Sequence, residues 1–307
     1  MKKIFKKTKI NLFDRGRFLD QMNIVCSTFL FNSYPLGEAI RKIAALGLKK
    51  VEFCINSLHS DPDRWNEQPE EIKLLVKRLG MEVNSIHVPL PAEVSDSRIR
   101  EIREISTNLT KESIDLAVFF GSSFIVQHVR VIERPEESGQ NITLEETLPD
   151  LNEMAFYAAR KNIKIAIENA PSKTKRMLGK TIEEVITIVD VLPKESVGIC
   201  LDLTHCLACG YDSVKALKSI DSHRLLSIHA SDNLSKQLRD VHLPLGSGNI
   251  PWKKIIDILK AKGFQGSFVI EVAEQEDGNK ALMSSLEFLR KINSFLKFQN
   301  GVFIIDS

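Results

Sequence analysis

The sequence predicts a single-domain α/β protein that folds as a (β/α)8 barrel. Short apolar segments alternate with longer segments whose apolar residues recur at helical spacing, and this pattern repeats eight times along the 307 residues. Alternating strands and helices indicate parallel strands joined by right-handed crossovers, and eight such units close a barrel. An open doubly wound sheet would call for a glycine-rich phosphate loop, and neither G-x-G-x-x-G nor G-x-x-x-x-G-K-[ST] occurs. The barrel is therefore favoured.

Each strand is predicted from a short apolar run, and each helix from the amphipathic run that follows. The predicted strands span 23–27, 50–54, 82–87, 123–128, 163–168, 197–202, 225–229 and 266–272. The longer predicted helices span 36–50, 70–80, 95–119, 143–160, 181–190, 252–262 and 279–297. We expect a polar, basic N-terminal arm at 1–21, the barrel at 22–297 and a short C-terminal tail at 298–307.

The composition argues against several classes of protein. The formal net charge of +2 is too small to indicate a nucleic-acid-binding protein, although it does not exclude one. The five cysteines lack the spacing of a disulfide framework, which favours reduced thiols and a cytoplasmic location. Cys206 and Cys209 form a single C-x-x-C, which we interpret as buried residues at the start of a helix. No apolar run reaches membrane-spanning length, so no membrane partner is expected, and the oligomeric state is not predicted.

Six consecutive predicted strands finish on residue types that bind metals or transfer protons. These residues are His87, His128, Glu168, Asp202 and His229, together with Glu271 one residue before the end of the last strand. Each of them alone would more often be structural, but in a barrel the carboxyl ends of the strands meet at one mouth. Several carboxylates crowded there without a cation would be unfavourable. Imidazole and carboxylate together suit zinc, manganese, iron or cobalt.

The remaining histidines add to this pattern. His205 lies three residues past Asp202, and Asp240 and His242 have the i, i+2 spacing that points two side chains to one side of an extended segment. We predict that His223, at the start of a strand, is structural. His59, in the loop after the second strand, could contact substrate. Basic residues near the mouth fit either a substrate phosphate or a solvated surface; these are Lys173, Lys175, Arg176, Lys236 and Arg239.

Four motifs resemble the xylose isomerase-like TIM-barrel superfamily, over about residues 22–297. They are the IENAP sequence at 167–171, CLDLTH at 200–205, IHASDN at 228–233 and RDVHLPLGSG at 239–248. This superfamily includes the sugar phosphate isomerase/epimerase family and the endonuclease IV family. The occurrence of these four motifs together and in this order is typical of the superfamily but does not specify a reaction.

The resemblance implies two ligand sets. In the isomerase and epimerase branch, the positions of Glu168, Asp202, His229 and Glu271 hold one divalent metal, the two glutamates exchange a substrate proton, and the position of His205 contacts substrate. In the endonuclease IV branch, three zinc ions are held by those four positions and by His87, His128, His205, Asp240 and His242. All nine residues are present here. The expected cofactor is therefore a divalent metal (Zn, Mn, Fe or Co), as one ion or as many as three.

The leading hypothesis is a metal-dependent isomerase or epimerase that acts on a sugar or sugar phosphate by proton transfer through an enediolate. The alternative is an endonuclease IV-like metal-dependent phosphodiesterase that acts on abasic DNA, and only this alternative requires a nucleic-acid partner. Residues 88–93 lack the tyrosine typical of endonuclease IV proteins, 133–137 show no phosphate-binding stripe, and 285–290 look more like the sugar isomerases. A non-catalytic sugar-binding barrel ranks last, because no residue of the metal core is missing.

Overall fold

The computed structural model describes residues 22–55, 68–89, 100–129, 143–170, 178–234, 239–294, 298–299 and 302–303. Eight parallel strands follow one another in chain order around a closed barrel, and β8 pairs with β1 to close it. The predicted (β/α)8 barrel is thereby confirmed. The described helices include none that is long and apolar enough to cross a membrane.

The bounds of the elements agree closely with the predicted pattern. The barrel strands are β1 Asn23–Ser27, β2 Lys50–Cys54, β3 Glu82–His87, β4 Phe124–His128, β5 Lys164–Glu168, β6 Val197–Asp202, β7 Leu225–Ala230 and β8 Ser267–Ile270. The α-helices are α1 Leu36–Ala45, α2 Pro69–Arg78, α3 Arg100–Phe120, α4 Leu144–Arg160, α5 Ile182–Asp190, α6 Leu203–Ala208, α7 Ser213–Ser219, α8 Trp252–Ala261 and α9 Gly278–Ser294. A short antiparallel pair, β9 Phe298–Gln299 and β10 Val302–Phe303, follows.

Several details differ from the sequence prediction. Strand β7 continues to Ala230, so His229 lies one residue before the end of the strand rather than at its end. Helix α1 ends at Ala45 rather than at 50, because Gly47 adopts a positive φ of 87° that stops the helix. Strand β8 ends at Ile270, so Glu271 lies one residue after the strand rather than one residue before its end. Two short helices, α6 and α7, connect β6 to β7. The predicted boundaries of the arm and tail stay predictions, and 1–21 lie outside the described residues.

Side-chain caps fix where several helices begin. Thr143 accepts a hydrogen bond from the backbone N–H of Glu146, whose carboxylate accepts the N–H of Thr143 in return. Thr181 and Glu184 form the same reciprocal pair at the start of α5. Each pair satisfies two backbone donors that would otherwise lack partners, which defines the turn from the preceding loop into the helix.

The core has two parts. The larger packs the apolar faces of the helices against the strands, and the smaller comprises Phe124, Val126, Ala166 and Cys200 on β4, β5 and β6. Alternation along a strand places these four side chains on the same face as the residues that end those strands. The predicted ligands therefore stand above a layer of packed side chains inside the barrel.

Candidate metal centre

Barrel closure brings four predicted ligands together at the mouth, which is the end of the barrel where the strands finish. Glu168, Asp202 and His229 lie on β5, β6 and β7, and Glu271 follows β8. All four side chains are buried, and one ligand atom from each lies within 4.8 Å of the others. We call these four residues the quartet.

Within the quartet, one histidine nitrogen lies beside both glutamates. Nδ1 of His229 lies 3.0 Å from Oε1 of Glu168 and 2.9 Å from Oε2 of Glu271. The other ring nitrogen, Nε2, points away from the quartet and lies 3.3 Å from Oε1 of Glu52. His229 therefore presents Nδ1 to the site.

A second group adjoins the quartet through Glu168. Nε2 of His87 lies 3.1 Å from Oε2 of Glu168, and Nε2 of His128 lies 3.2 Å from the same oxygen. Nδ1 of His87 is 3.0 Å from the carbonyl oxygen of Val88, and a hydrogen bond from Nδ1–H to this carbonyl directs the lone pair on Nε2 towards the site. Together, His87, His128 and Glu168 form the Glu168 group.

A third group adjoins the quartet through Asp202. We call Asp202, His205 and His242, together with the adjacent Asp240, the His205 group. Nε2 of His205 lies 3.2 Å from Nε2 of His242 and 3.5 Å from Oδ2 of Asp240. Asp240 also approaches Nε2 of His242 at 3.0 Å, and its side chain is 30% exposed. Asp202 caps α6 through a 2.6 Å hydrogen bond from the backbone N–H of His205, which holds the two side chains at one turn.

A buried carboxylate that the sequence analysis did not single out fixes the loop carrying Asp240 and His242. Asp232 accepts hydrogen bonds from the backbone N–H groups of Gly246 and Ile250 and from the indole N–H of Trp252, at 2.8, 3.0 and 2.9 Å. Its backbone also pairs with Leu243. His242 has a positive φ of 40°, a conformation that these contacts hold in place.

Burial and neighbouring charges shift the pKa values of these groups strongly. Burial lowers the pKa of His87, but its contacts with Glu168 and the other buried carboxylates outweigh this and raise the pKa to about 9. The pKa of His242 is likewise raised to about 9, because Asp240 outweighs the effect of burial. Burial dominates at two other residues: it lowers the pKa of His128 to about 4 and raises that of Asp202 to about 6.

The residues present fit a divalent cation. Oδ2 of Asp202 is fully buried and accepts no hydrogen bond from the residues that the structure describes. A buried carboxylate oxygen in that state is unfavourable unless a positive charge compensates it. Mixed imidazole and carboxylate ligands suit zinc, manganese, iron or cobalt. The arrangement could hold one ion in the quartet and further ions in the two adjoining groups.

Several other predictions can be placed. His223 lies at the opposite end of the barrel from the quartet, beside the start of β7. Cys206 and Cys209 are buried in and just after α6, and burial raises the pKa of the Cys206 thiol. The described residues do not include His59, Lys173, Lys175, Arg176 and Lys236, so the roles expected for these residues stay predictions.

The chain matches one protein family and is similar to proteins of known sequence. A family model described as xylose isomerase-like TIM barrel matches residues 40–292. An uncharacterized protein of Methanocaldococcus jannaschii is 25% identical over 94% of this chain and 96% of its own length. A probable endonuclease 4 of Ureaplasma urealyticum is 27% identical over 64% of this chain and 70% of its own length.

Solved structures share the barrel. A D-tagatose 3-epimerase-like protein superposes with a TM-score of 0.75 at 24% identity, covering 89% of this chain and 99% of its own. The IOLI protein, solved with a bound zinc atom, superposes with a TM-score of 0.72 at 18% identity, covering 89% of this chain and 98% of its own. At these identities the similarity demonstrates the common fold.

Proposed function

Because this chain belongs to the xylose isomerase-like TIM-barrel family, we propose that it is a divalent-metal-dependent isomerase or epimerase of a sugar or sugar phosphate. The observation that carries this proposal is the pair of buried carboxylates, Glu168 and Glu271, which flank the same nitrogen of His229. Two carboxylates at one site can remove a proton and return one. The similarity to a D-tagatose 3-epimerase-like protein over nearly its whole length supports the proposal.

Two residues, Glu168 and Glu271, have a double role in this proposal, as metal ligands and as proton-transfer groups. The quartet would hold the ion, which supplies Lewis-acid polarisation of a substrate carbonyl when bound. Glu168 and Glu271 act as base and acid at the carbon beside that carbonyl, through an enediolate. Proton transfer of this kind contributes about 10²–10⁴-fold to the rate. His205 contacts the substrate, next to the partly exposed Asp240.

Solvent exchange tests this proposal across many sugars at once. The metal-loaded protein is incubated in D2O with a panel of ketoses, aldoses and their phosphates, and NMR follows deuterium entering the position beside the carbonyl. We expect exchange with at least one sugar. Glu168→Gln should slow it about 10²–10⁴-fold. Glu82→Gln, an exposed carboxylate at the other end of the barrel, is the matched control and should leave exchange unchanged.

The metal content of each variant is measured in parallel. Undiminished exchange in Glu168→Gln with metal still bound would remove Glu168 from the role of base. Loss of both metal and exchange would indicate instead that Glu168 acts mainly as a ligand. Absence of exchange across the whole panel would count against the isomerase proposal.

A specific observation favours a second candidate function, an endonuclease IV-like phosphodiesterase acting on abasic DNA. The Glu168 group and the His205 group lie directly beside the quartet and share Glu168 and Asp202 with it. An isomerase that uses one ion does not need these groups. Several adjoining ions suit phosphodiester hydrolysis, because they stabilise charge on both the attacking and the leaving oxygen. The similarity to a probable endonuclease 4 supports this candidate.

Metal stoichiometry and DNA cleavage decide between the two candidates. One ion per chain and no cleavage of a duplex with a single abasic site would support the isomerase. Three ions per chain with chelator-sensitive cleavage would overturn it in favour of the phosphodiesterase. An intact duplex of the same sequence is the substrate control. Asp240→Asn, which alters only the His205 group, should reduce cleavage if that group holds an ion.

A further inference from the structure

A buried carboxylate that the proposed function leaves without a role lies behind the quartet. Glu52 stands in the middle of β2, and its side chain is fully buried. A carboxylate inside a barrel persists only when hydrogen bonds or opposite charges compensate its removal from water. Its partners therefore indicate what it does.

The two oxygens of Glu52 have different partners. Oε2 accepts a hydrogen bond of 2.7 Å from the hydroxyl of Ser85 on β3. Oε1 lies 3.3 Å from Nε2 of His229, across the interior of the barrel from β2. Within the described part of the chain, neither Oε1 of Glu52 nor Nε2 of His229 forms a hydrogen bond, and the two atoms face each other at 3.3 Å. The side chain is thus anchored on one side and faces a single histidine nitrogen on the other.

We propose that Glu52 is a positioning residue for the metal centre, which holds the proton of His229 on Nε2 and so leaves the lone pair of Nδ1 for the ion. A histidine that binds a metal through one ring nitrogen usually donates the other N–H to a carboxylate or carbonyl. This partner fixes the tautomer and the orientation of the ring, and it makes the ligating nitrogen more basic. The inference rests on the metal site of the proposed function, and it holds for the isomerase and the phosphodiesterase alike.

Ser85 has a supporting role in the same arrangement. Its hydroxyl donates to Oε2 of Glu52 and accepts a hydrogen bond of 2.9 Å from Nδ2 of Asn84. The hydroxyl proton therefore points to Oε2 of Glu52. This hydrogen bond orients the other carboxylate oxygen, Oε1, towards His229. Removing this hydroxyl should weaken the same function by a smaller factor, because the carboxylate itself stays.

The first test is metal affinity, measured by competition with a chelator of known affinity. Glu52→Gln keeps the shape of the side chain and removes its charge, and we expect metal binding about 10–100-fold weaker. Ser85→Ala should weaken binding in the same direction but less. Glu82→Gln, an exposed residue on the neighbouring strand, is the matched control and should bind metal as the unaltered protein does.

The second readout is the protonation of His229 itself, which a merely structural role of Glu52 would not change. In the zinc-loaded protein with ¹⁵N-labelled histidine, NMR should place the remaining proton of His229 on Nε2. In Glu52→Gln this N–H should exchange with solvent faster or shift its resonance. If Glu52→Gln does not fold, Ser85→Ala decides the matter through the same two measurements.

The outcomes separate this inference from the proposed function. Failure of the unaltered protein to bind a divalent metal would contradict both. Tight binding by the unaltered protein, with equal affinity and an unchanged His229 signal in the folded variants, would overturn the role of Glu52 alone. Weaker binding with an altered His229 signal is the result that we expect.

Discussion

The two ends of the barrel interior are both polar, but they differ in charge. At the base, where the strands begin, Nδ2 of Asn23 donates to Oδ1 of Asn84 and to Oγ of Ser267, at 3.1 and 3.0 Å. The hydroxyl of Ser267 donates to the same Asn84 oxygen at 2.9 Å. These neutral groups connect β1, β3 and β8. At the mouth, the quartet and its two adjoining groups consist entirely of ionisable side chains.

This difference indicates that the base contributes to stability, whereas the mouth provides the groups that can bind an ion. Neutral amides and hydroxyls cost less to bury than charged groups, even though Oδ1 of Asn23 accepts no hydrogen bond from the described residues, so the base needs no compensating charge. Buried carboxylates and imidazoles need a compensating charge, and at the mouth they leave Oδ2 of Asp202 without a hydrogen bond from any described residue. The same division is general in this fold, whose active sites lie at the carboxyl ends of the strands.

The largest expected effect on metal affinity comes from substituting a histidine at the mouth, and substitution of a histidine at the base is its control. His229→Gln removes a quartet ligand and should weaken metal binding by at least about 100-fold. His223→Gln changes a histidine at the base and should leave the affinity unchanged. Chelator competition measures both. Equal affinities in the two variants would contradict the assignment of the mouth as the metal centre.

The change in metal affinity with pH should be smaller than the effect of His229→Gln. Its slope should indicate how many ions bind. Burial lowers the pKa of His87, His229 and His242, but neighbouring groups raise it more strongly. These groups are Cys200 and then buried carboxylates for His229, and carboxylates for His87 and His242, whose pKa values reach about 9. An ion must displace these protons, so the apparent affinity should rise between pH 7 and 9, about tenfold per pH unit for each proton displaced. One ion in the quartet displaces the proton of His229 alone. A steeper slope would indicate that the adjoining groups are also filled, and a flat profile would contradict the proposed ligands.

The folding stability of the metal-free protein should fall as the pH rises, whereas metal affinity should increase. The folded-state pKa values of His87 and His242 lie above the unfolded value of about 6.5. The stability that these histidines contribute is therefore complete below pH 6.5 and is lost as the pH rises to about 9. Thermal unfolding of chelator-treated protein across this range tests the sign, and a rise in stability over the same window would contradict it.

The smallest effect is expected at the base. Asn23→Ala removes two hydrogen bonds and should lower the free energy of unfolding by about 1–3 kcal/mol. Metal affinity should stay within about twofold of the unaltered protein, because the base contains no ligand. Urea unfolding and chelator competition measure the two quantities. A marked loss of metal affinity would indicate that the two ends are coupled.

Most of the fold could be predicted because its signals are local. Helical spacing, caps such as Thr143 and Thr181, and short apolar runs each act within a few residues of one another. The sequence predicts the end of β8 two residues too late, because Val272 resumes the apolar pattern after Glu271 and the backbone N–H of Glu271 still donates to the carbonyl of Ala230 at 3.1 Å. His59 and Lys173 lie outside the described residues, so the predictions made for them stay predictions.

The roles of Glu52 and Asp232 could not be predicted from the sequence for one physical reason: both roles depend on contacts that form only in the folded barrel. Glu52 alternates with Val51 and Phe53 in the strand Lys50–Cys54 and shares a face with the charged Lys50, a pattern that equally fits a solvent-facing side chain. Its burial and its contact with His229 arise only when β2 and β7 face each other across a closed barrel. Asp232 lies two residues after the end of β7 and could be taken for a further mouth carboxylate, whereas its hydrogen bonds show that it holds the following loop.

The sequence by itself determined the eight-strand alternation and the residue types at the strand ends, because both depend on spacing along the chain. The family resemblance of the sequence already implied the quartet, whereas tertiary structure alone decided how the other residues adjoin it: Glu168 is shared by the quartet and the Glu168 group, and Asp202 by the quartet and the His205 group. It also decided that His229 turns Nδ1 towards the quartet and Nε2 towards Glu52. The reason is that these contacts join residues on strands far apart in the chain, and their distances depend on how the whole barrel closes.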